Sequence, residues 1–186
     1  MLLQKFDITK IKDNNVIVIL GKRGKGKSFL TKDILYHQNI QNGVVLSHKS
    51  DNNIEILNNL LEEQKKQNSN HTFLVIEDNT LLLRNDEFVS EKIINGKFLH
   101  IFTIIELQYF RIMSYNLWKN IDYLFIFNDE LIVNRQRIYK SYEGLFGNFE
   151  TFCSLMDKLG DYECLVIDQI ENCVYFYKAA HHKNKL

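Results

Sequence analysis

The chain has 186 residues, of which 45% are apolar and 12% aromatic, enough to bury one substantial core and too few to build two. Its 23 basic and 23 acidic residues cancel, so no bulk field holds a polyanion or an anionic membrane, and any nucleic-acid contact is local. No stretch reaches the roughly 18 uninterrupted apolar residues of a membrane span, and Met1 to Lys10 lacks the apolar core of a signal peptide, which gives the expectation of a soluble, intracellular domain covering 1–186.

Val16 to Leu20 is a continuous run of Val, Ile and Leu, the pattern of a strand buried on both faces, and it ends at a glycine-rich loop. Ser28 to His37 follows as a helix, with Leu30 and Ile34 one turn apart. Gly43 to Ser47 reads as a second strand. Ile54, Leu57, Leu60 and Leu61 then make an amphipathic helix whose other face is Glu62, Glu63, Lys65 and Lys66. Phe73 to Ile76 is a third buried strand, and the helix after it, around Phe88, Val89, Ile93 and Ile94, is expected to stop at Asn95-Gly96. His100 to Ile105 and Tyr123 to Phe127 add two apolar strands. Helices are expected over Asn134 to Tyr142 and where Phe149, Phe152, Cys153, Met156 and Leu159 recur at helical spacing. Glu163 to Asp168 and Val174 to Tyr177 flank a polar turn, a C-terminal β-hairpin with Cys164 and Cys173 near its two ends as unbonded neighbours. With Cys153 these cysteines are odd in number and lack a CxxC pair, against a zinc site or a disulfide framework. Strands alternating with helices predict a three-layer α/β domain of the P-loop NTPase type around a mostly parallel central sheet, with ligands at the carboxyl ends of the strands.

The loop Gly21-Lys22-Arg23-Gly24-Lys25-Gly26-Lys27-Ser28 fits GxxxxGK[ST] and lies between a buried strand and a helix. Glycines let backbone N–H groups curl around phosphates, and the helix N-terminus adds a favourable dipole. Lys27 is expected to reach the β and γ phosphates of ATP, and the Ser28 hydroxyl to ligate Mg²⁺, with Phe29 directly behind them. Lys22, Arg23 and Lys25 read either as exposed loop charges or as sensors of a neighbour's nucleotide. Such a site also needs a carboxylate for Mg²⁺ and a second acid that orients water, and Glu77-Asp78 at the end of the third strand supplies both. Either Glu77 serves the metal and Asp78 acts as base, or Asp78 serves the metal alone. Gln108, just past the fourth predicted strand, which ends near Ile105, is placed to hydrogen-bond the γ-phosphate or the attacking water.

Together these residues resemble the DNA-packaging ATPase of the nucleocytoplasmic large DNA viruses, a branch of the FtsK/HerA superfamily that includes the poxvirus packaging protein. The resemblance runs from Phe6-Asp7-Ile8 through the loop to Lys32-Asp33-Ile34-Leu35-Tyr36-His37, then through the acidic pair, Asn95-Gly96, Leu107-Gln108-Tyr109 and Asn120-Ile121-Asp122-Tyr123. Its most specific part is Asn134-Arg135-Gln136-Arg137-Ile138-Tyr139, Phe152-Cys153 and Tyr162-Glu163-Cys164-Leu165-Val166-Ile167-Asp168. It implies an ATP-driven motor that assembles as a homo-oligomeric ring, acts on double-stranded DNA and meets capsid proteins, in the host cytoplasm or viral factory and in the virion. The chain departs from the family pattern where Lys97-Phe98 replaces an Arg-His pair and where Trp118 replaces an arginine. The arginine finger acting on a neighbour's nucleotide then falls to Arg135 or Arg137, with Lys119 a partial substitute. A P-loop protein of slow turnover, acting as an assembly or capsid-vertex component, is the alternative these departures favour. A small-molecule kinase would need an acceptor pocket and an arginine-bearing lid, and the sequence displays neither clearly.

Overall fold

The computed structural model describes residues 2–47, 52–66, 71–78, 86–110 and 115–182, with side chains from residue 90 in the fourth of these segments. Strand β1 (Val16–Leu20) is buried throughout: Val16, Val18 and Leu20 face one core and Ile17 and Ile19 the other. This double burial explains the unbroken apolar run, because a strand with helices on both sides has no solvent face to keep polar. Helix α1 (Lys27–Gln38), β2 (Gly43–Ser47), α2 (Asn53–Lys66), β3 (Thr72–Glu77), α3 (Asp86–Phe98) and β4 (Ile101–Leu107) follow in alternation. After them come α4 (Tyr115–Lys119), β5 (Tyr123–Phe127), α5 (Ile132–Phe146), α6 (Phe149–Asp157), β6 (Glu163–Asp168) and β7 (Cys173–Lys178).

The strands form one sheet in the order β2-β3-β4-β1-β5-β6-β7. All pairs from β2 to β5 are parallel, and β6 and β7 are antiparallel additions. This is the expected three-layer α/β fold with its terminal hairpin. β1 lies at its centre between β4 and β5, so the loop leaving β1 is bordered by the ends of both. No helix among the described residues is long and apolar enough to cross a membrane.

The layers are unequal. Leu57, Leu60 and Leu61 of α2, Ile93 of α3, Ile138 and Phe146 of α5, and Phe152, Leu155 and Met156 of α6 cover one face. On the other, Leu30, Ile34 and Leu35 of α1 need help from the N-terminal segment, which contributes Phe6, Ile8 and Ile11. Phe6 packs edge-on against Tyr123 and Phe125 and bonds through its N–H to the Phe176 carbonyl at 2.7 Å, extending the cover to β7.

Three expectations need correction. Asn95-Gly96 does not stop α3, which continues to Phe98; Gly96 faces Ile101 and Leu61, and the chain turns at His100, whose φ is +54°. The glycine permits close packing against β4 and α2 instead of ending the helix. Cys164 and Cys173 are not neighbours, because the hairpin register sets Cys164 opposite Tyr177 and Cys173 opposite Asp168. The short helix α4 was not anticipated; it buries Leu117, while Trp118 packs edge-on against Phe110 with ring centres 4.6 Å apart. Of the residues expected to mark α3, Phe88 and Val89 lie outside the described side chains.

Phe6 is 2% exposed and stands in for a helix on its face. Phe6→Ala is expected to cost about 3–5 kcal/mol, the usual cost of emptying a buried aromatic site. Urea denaturation checks this, and a loss under about 1 kcal/mol would mean that the N-terminal segment is dispensable to the core.

Candidate nucleotide-binding site

The loop between β1 and α1 is anchored at its start, where the Gly21 N–H donates to the Leu107 carbonyl of β4 at 2.9 Å. It then curls through Gly24 (φ +82°) and Gly26 (φ +104°), left-handed conformations that glycine adopts without steric cost. A side chain at Gly26 would also meet the Tyr162 ring at 2.9 Å. Gly26 caps α1 without a side-chain bond, so N–H groups of the first helical turn remain directed at the loop, where the helix dipole favours an anion.

Lys27 is 8% exposed, and its ammonium donates to the Lys22 carbonyl at 3.5 Å, a weak contact for a buried charge. Among the described residues no carboxylate lies within 4 Å of it. Its loop neighbours differ: Lys22 pairs with Asp129 at 3.3 Å and Lys25 with Glu130 at 3.5 Å, while Arg23 is exposed. Lys22 and Lys25 therefore brace the loop against the segment after β5. Phe29 packs on Tyr162 with ring centres 4.6 Å apart. Beside it, Arg23, Lys25, Asn128 and residues 159–163 enclose a cleft of about 420 Å³.

The acidic side contains a residue that the sequence reading passed over. Glu106, on β4, is 3% exposed; it accepts the Ser28 hydroxyl at 3.1 Å and the Thr31 hydroxyl at 2.7 Å. With its proton given to Glu106, the Ser28 oxygen keeps its lone pairs available for a cation. Burial pushes the Glu106 carboxyl above its ordinary range, opposed by those two hydroxyls and reinforced by the nearby Glu77 charge. Glu77 ends β3 directly opposite Glu106 in the parallel register. Asp78 follows with φ +46°; its N–H bonds to the Glu106 carbonyl at 3.1 Å and its carboxylate accepts the Gln108 amide. Ser28, Glu77, Asp78, Glu106 and Gln108 therefore meet at the carboxyl ends of β1, β3 and β4. The signal for Glu106 was a lone acid in the apolar run Ile101–Leu107, hidden by ending the strand at Ile105.

The arginines behave differently from the expectation. Arg135 is 7% exposed and spends its guanidinium inside its own chain, on the Asp129 carbonyl at 2.5 Å, Asn128 at 3.0 Å and Asp157 at 2.6 Å. Such bonds hold the segment after β5 to α6 and are at odds with reaching a neighbour. Arg137, on the opposite side of α5, is exposed. Lys119 sits over the Tyr115 ring at 4.4 Å, and Lys97 grips Asp122 at 2.7 Å, which in turn accepts the Val16 N–H at 2.8 Å. Lys97 thus has a supporting role at the start of β1.

No family model matches the chain. Curated relatives are viral: it is 25% identical to an uncharacterised protein of Acanthamoeba polyphaga mimivirus, over 97% of this chain and 78% of that one. It is 28% identical to one of Invertebrate iridescent virus 6, over 82% and 69%. Among solved structures, the genome packaging NTPase B204 from Sulfolobus turreted icosahedral virus 2, in complex with ATP-gammaS, superposes with a TM-score of 0.71 at 13% identity, covering 92% of this chain and all of that one. The chain has the fold of a viral genome-packaging NTPase. The same fold superposes, with a TM-score of 0.53 and 12% identity, on EssC (ATPases 2 and 3) from Geobacillus thermodenitrificans, over 92% of this chain and 41% of that one.

Within this packaging-NTPase fold, Glu106→Gln is expected to keep the chain folded and to weaken Mg²⁺-dependent binding of a fluorescent ATP analogue more than binding in EDTA. Lys27→Ala, which removes a charged hydrogen bond, should lose about 1.5–3 kcal/mol of affinity in both conditions. Equal losses for Glu106→Gln with and without Mg²⁺ would contradict its place beside the cation.

Proposed function

We propose that the chain binds ATP with Mg²⁺ on residues 21–28 and hydrolyses it to drive double-stranded DNA into a viral capsid as a ring of identical subunits. The observation that carries the nucleotide assignment is Lys27: a buried ammonium whose one hydrogen bond among the described residues is to a carbonyl, at the uncapped N-terminus of α1, fits a polyphosphate. The residues present also fit a magnesium ion, since oxygen donors of Ser28 and Glu77 converge with Glu106 behind them. Bound there, Mg²⁺ would neutralise charge developing on the phosphates.

On this reading the roles divide. Gly21, Gly24 and Gly26 let the backbone close on the phosphates, and Lys27 balances their charge. Ser28 and Glu77 hold the ion. Asp78 accepts a proton from, or orients, the attacking water, with Gln108 fixing its carboxylate and sensing the γ-phosphate. The cleft beside Tyr162 has room for the nucleoside. The likeness to B204 and the viral relatives support packaging, capsid proteins as partners, and the viral factory and assembling virion as the place of action.

A second reading has its own support. Trp118 packs in an aromatic cluster and Arg135 is tied within its chain, so of the two arginines expected as a finger Arg137 is the one left exposed for a neighbouring site. An arginine finger is worth about 10³ to 10⁵ in rate. Without one, the chain would be a slow nucleotide-binding component of the capsid vertex.

Phosphate release with ATP alone, ATP plus duplex DNA and ATP plus nucleosides separates the readings. A motor is stimulated by DNA; a slow component is not; transfer to a nucleoside would mean a kinase. Arg137→Ala is expected to leave nucleotide affinity nearly unchanged and cut turnover by about 10³ or more, the mark of an interaction made in the transition state. Mixing it with Lys27→Ala subunits, which still carry Arg137, should restore some activity. No recovery, in assemblies shown by light scattering to contain both subunits, would refute a finger acting between subunits.

A further inference from the structure

Two turns beyond the phosphate loop, α1 carries a second cluster of ionisable groups that nucleotide chemistry does not use. Asp33 is 1% exposed. Its Oδ2 accepts the Tyr177 hydroxyl at 2.7 Å and the Ala180 N–H at 3.1 Å. Its Oδ1 faces two imidazoles, His182 Nε2 at 2.5 Å and His37 Nδ1 at 3.3 Å. Among the described residues no Lys or Arg lies within ion-pair distance of this carboxylate. A buried carboxylate is costly unless a positive charge balances it. A neutral imidazole offers a nitrogen lone pair, the donor that a transition-metal ion accepts.

We infer that Asp33, His37 and His182 form a binding site for a divalent transition-metal ion of the zinc class. A carboxylate oxygen and one nitrogen from each ring all lie within 4.8 Å of one another. Ligands at ~2.0–2.2 Å from a tetrahedral ion are themselves roughly 3.5 Å apart, so small side-chain rotations close the set. Two imidazoles and one carboxylate suit zinc and its neighbours, whereas Mg²⁺ and Ca²⁺ prefer oxygen alone. Two of the three groups are also held from behind, as metal ligands are. Tyr177 and Ala180 fix the carboxylate, and Tyr36 stacks on His182 with ring centres 3.7 Å apart, while an ion on His37 Nδ1 would replace that nitrogen's 2.8 Å contact with the Asp33 carbonyl. The nearby Cys164 is not part of this set; its thiol is directed at the Tyr177 carbonyl, 3.7 Å away. The ion would clamp the segment after β7 onto α1, leaving a fourth position for water.

The full chain, stripped with EDTA and free of nucleotide, is titrated with zinc chloride by calorimetry and thermal denaturation, with cobalt chloride as the spectroscopic probe. One ion per chain, a raised Tm and a visible cobalt band of low coordination number are expected. Tyr177→Phe keeps the ligands and should cost about 10- to 100-fold in affinity, and His37→Gln and His182→Gln more than that. His71→Gln, at an imidazole–carboxylate contact elsewhere on the chain, with Asp13 at 2.8 Å, should change nothing. Lys27→Ala should likewise bind zinc normally, so this result stands apart from the nucleotide assignment. No saturable binding to the native chain, or binding unchanged in both His37→Gln and His182→Gln, would overturn the site.

Discussion

The nucleotide site depends on one costly arrangement, the burial of the Lys27 ammonium, which among the described residues bonds to a loop carbonyl and has no carboxylate within ion-pair distance, the Glu106 charge acting on it from further off. Removing a charge from water without a direct ion-pair partner is among the larger penalties in a folded chain. Here the surrounding structure offsets it: β1 is buried on both faces, and Gly21 is bonded to the end of β4. Gly24 and Gly26 let the loop turn back over the first turn of α1. The result is a rigid concavity, positive from both the lysine and the helix dipole, and built before any ligand arrives.

The acids are arranged by the same sheet. Parallel register places Glu77 and Glu106 side by side at the ends of adjacent strands, where like charges disfavour joint ionisation. Hydroxyls from Ser28 and Thr31 quiet Glu106, and the turn at Asp78 carries the next carboxylate over to Gln108. A cation between Ser28 and Glu77 would relieve that repulsion, which gives the acidic half of the site the same character as the basic half: each is incomplete without its complement.

Much of this was legible because it is encoded locally. The apolar runs at Val16 and Tyr123 could belong only to strands covered on both sides, and the glycine-lysine loop between strand and helix declared its own chemistry. What was illegible depended on register and neighbours. Glu106 shows its role only once β4 lies against both β1 and β3. Asn95-Gly96 reads locally as a helix stop, yet the missing side chain serves contact with Ile101 and Leu61. Arg135 reads as a candidate finger for a neighbouring site; its acceptors come from the segment after β5 and from Asp157 in α6, contacts created by tertiary folding. Asp33 and His37 lie one turn apart on α1, but His182 is far from them in sequence and meets them because the chain returns across α1 after β7.

A crystal structure of the chain with Mg²⁺ and a non-hydrolysable ATP analogue tests the central claim most directly. The account predicts the γ-phosphate within hydrogen-bond distance of Lys27 Nζ, which will have left the Lys22 carbonyl. It also predicts the ion on Ser28 Oγ, with Glu106 still accepting from that hydroxyl. A triphosphate bound elsewhere, or Lys27 remaining on Lys22 with the loop empty at saturating analogue, would contradict it.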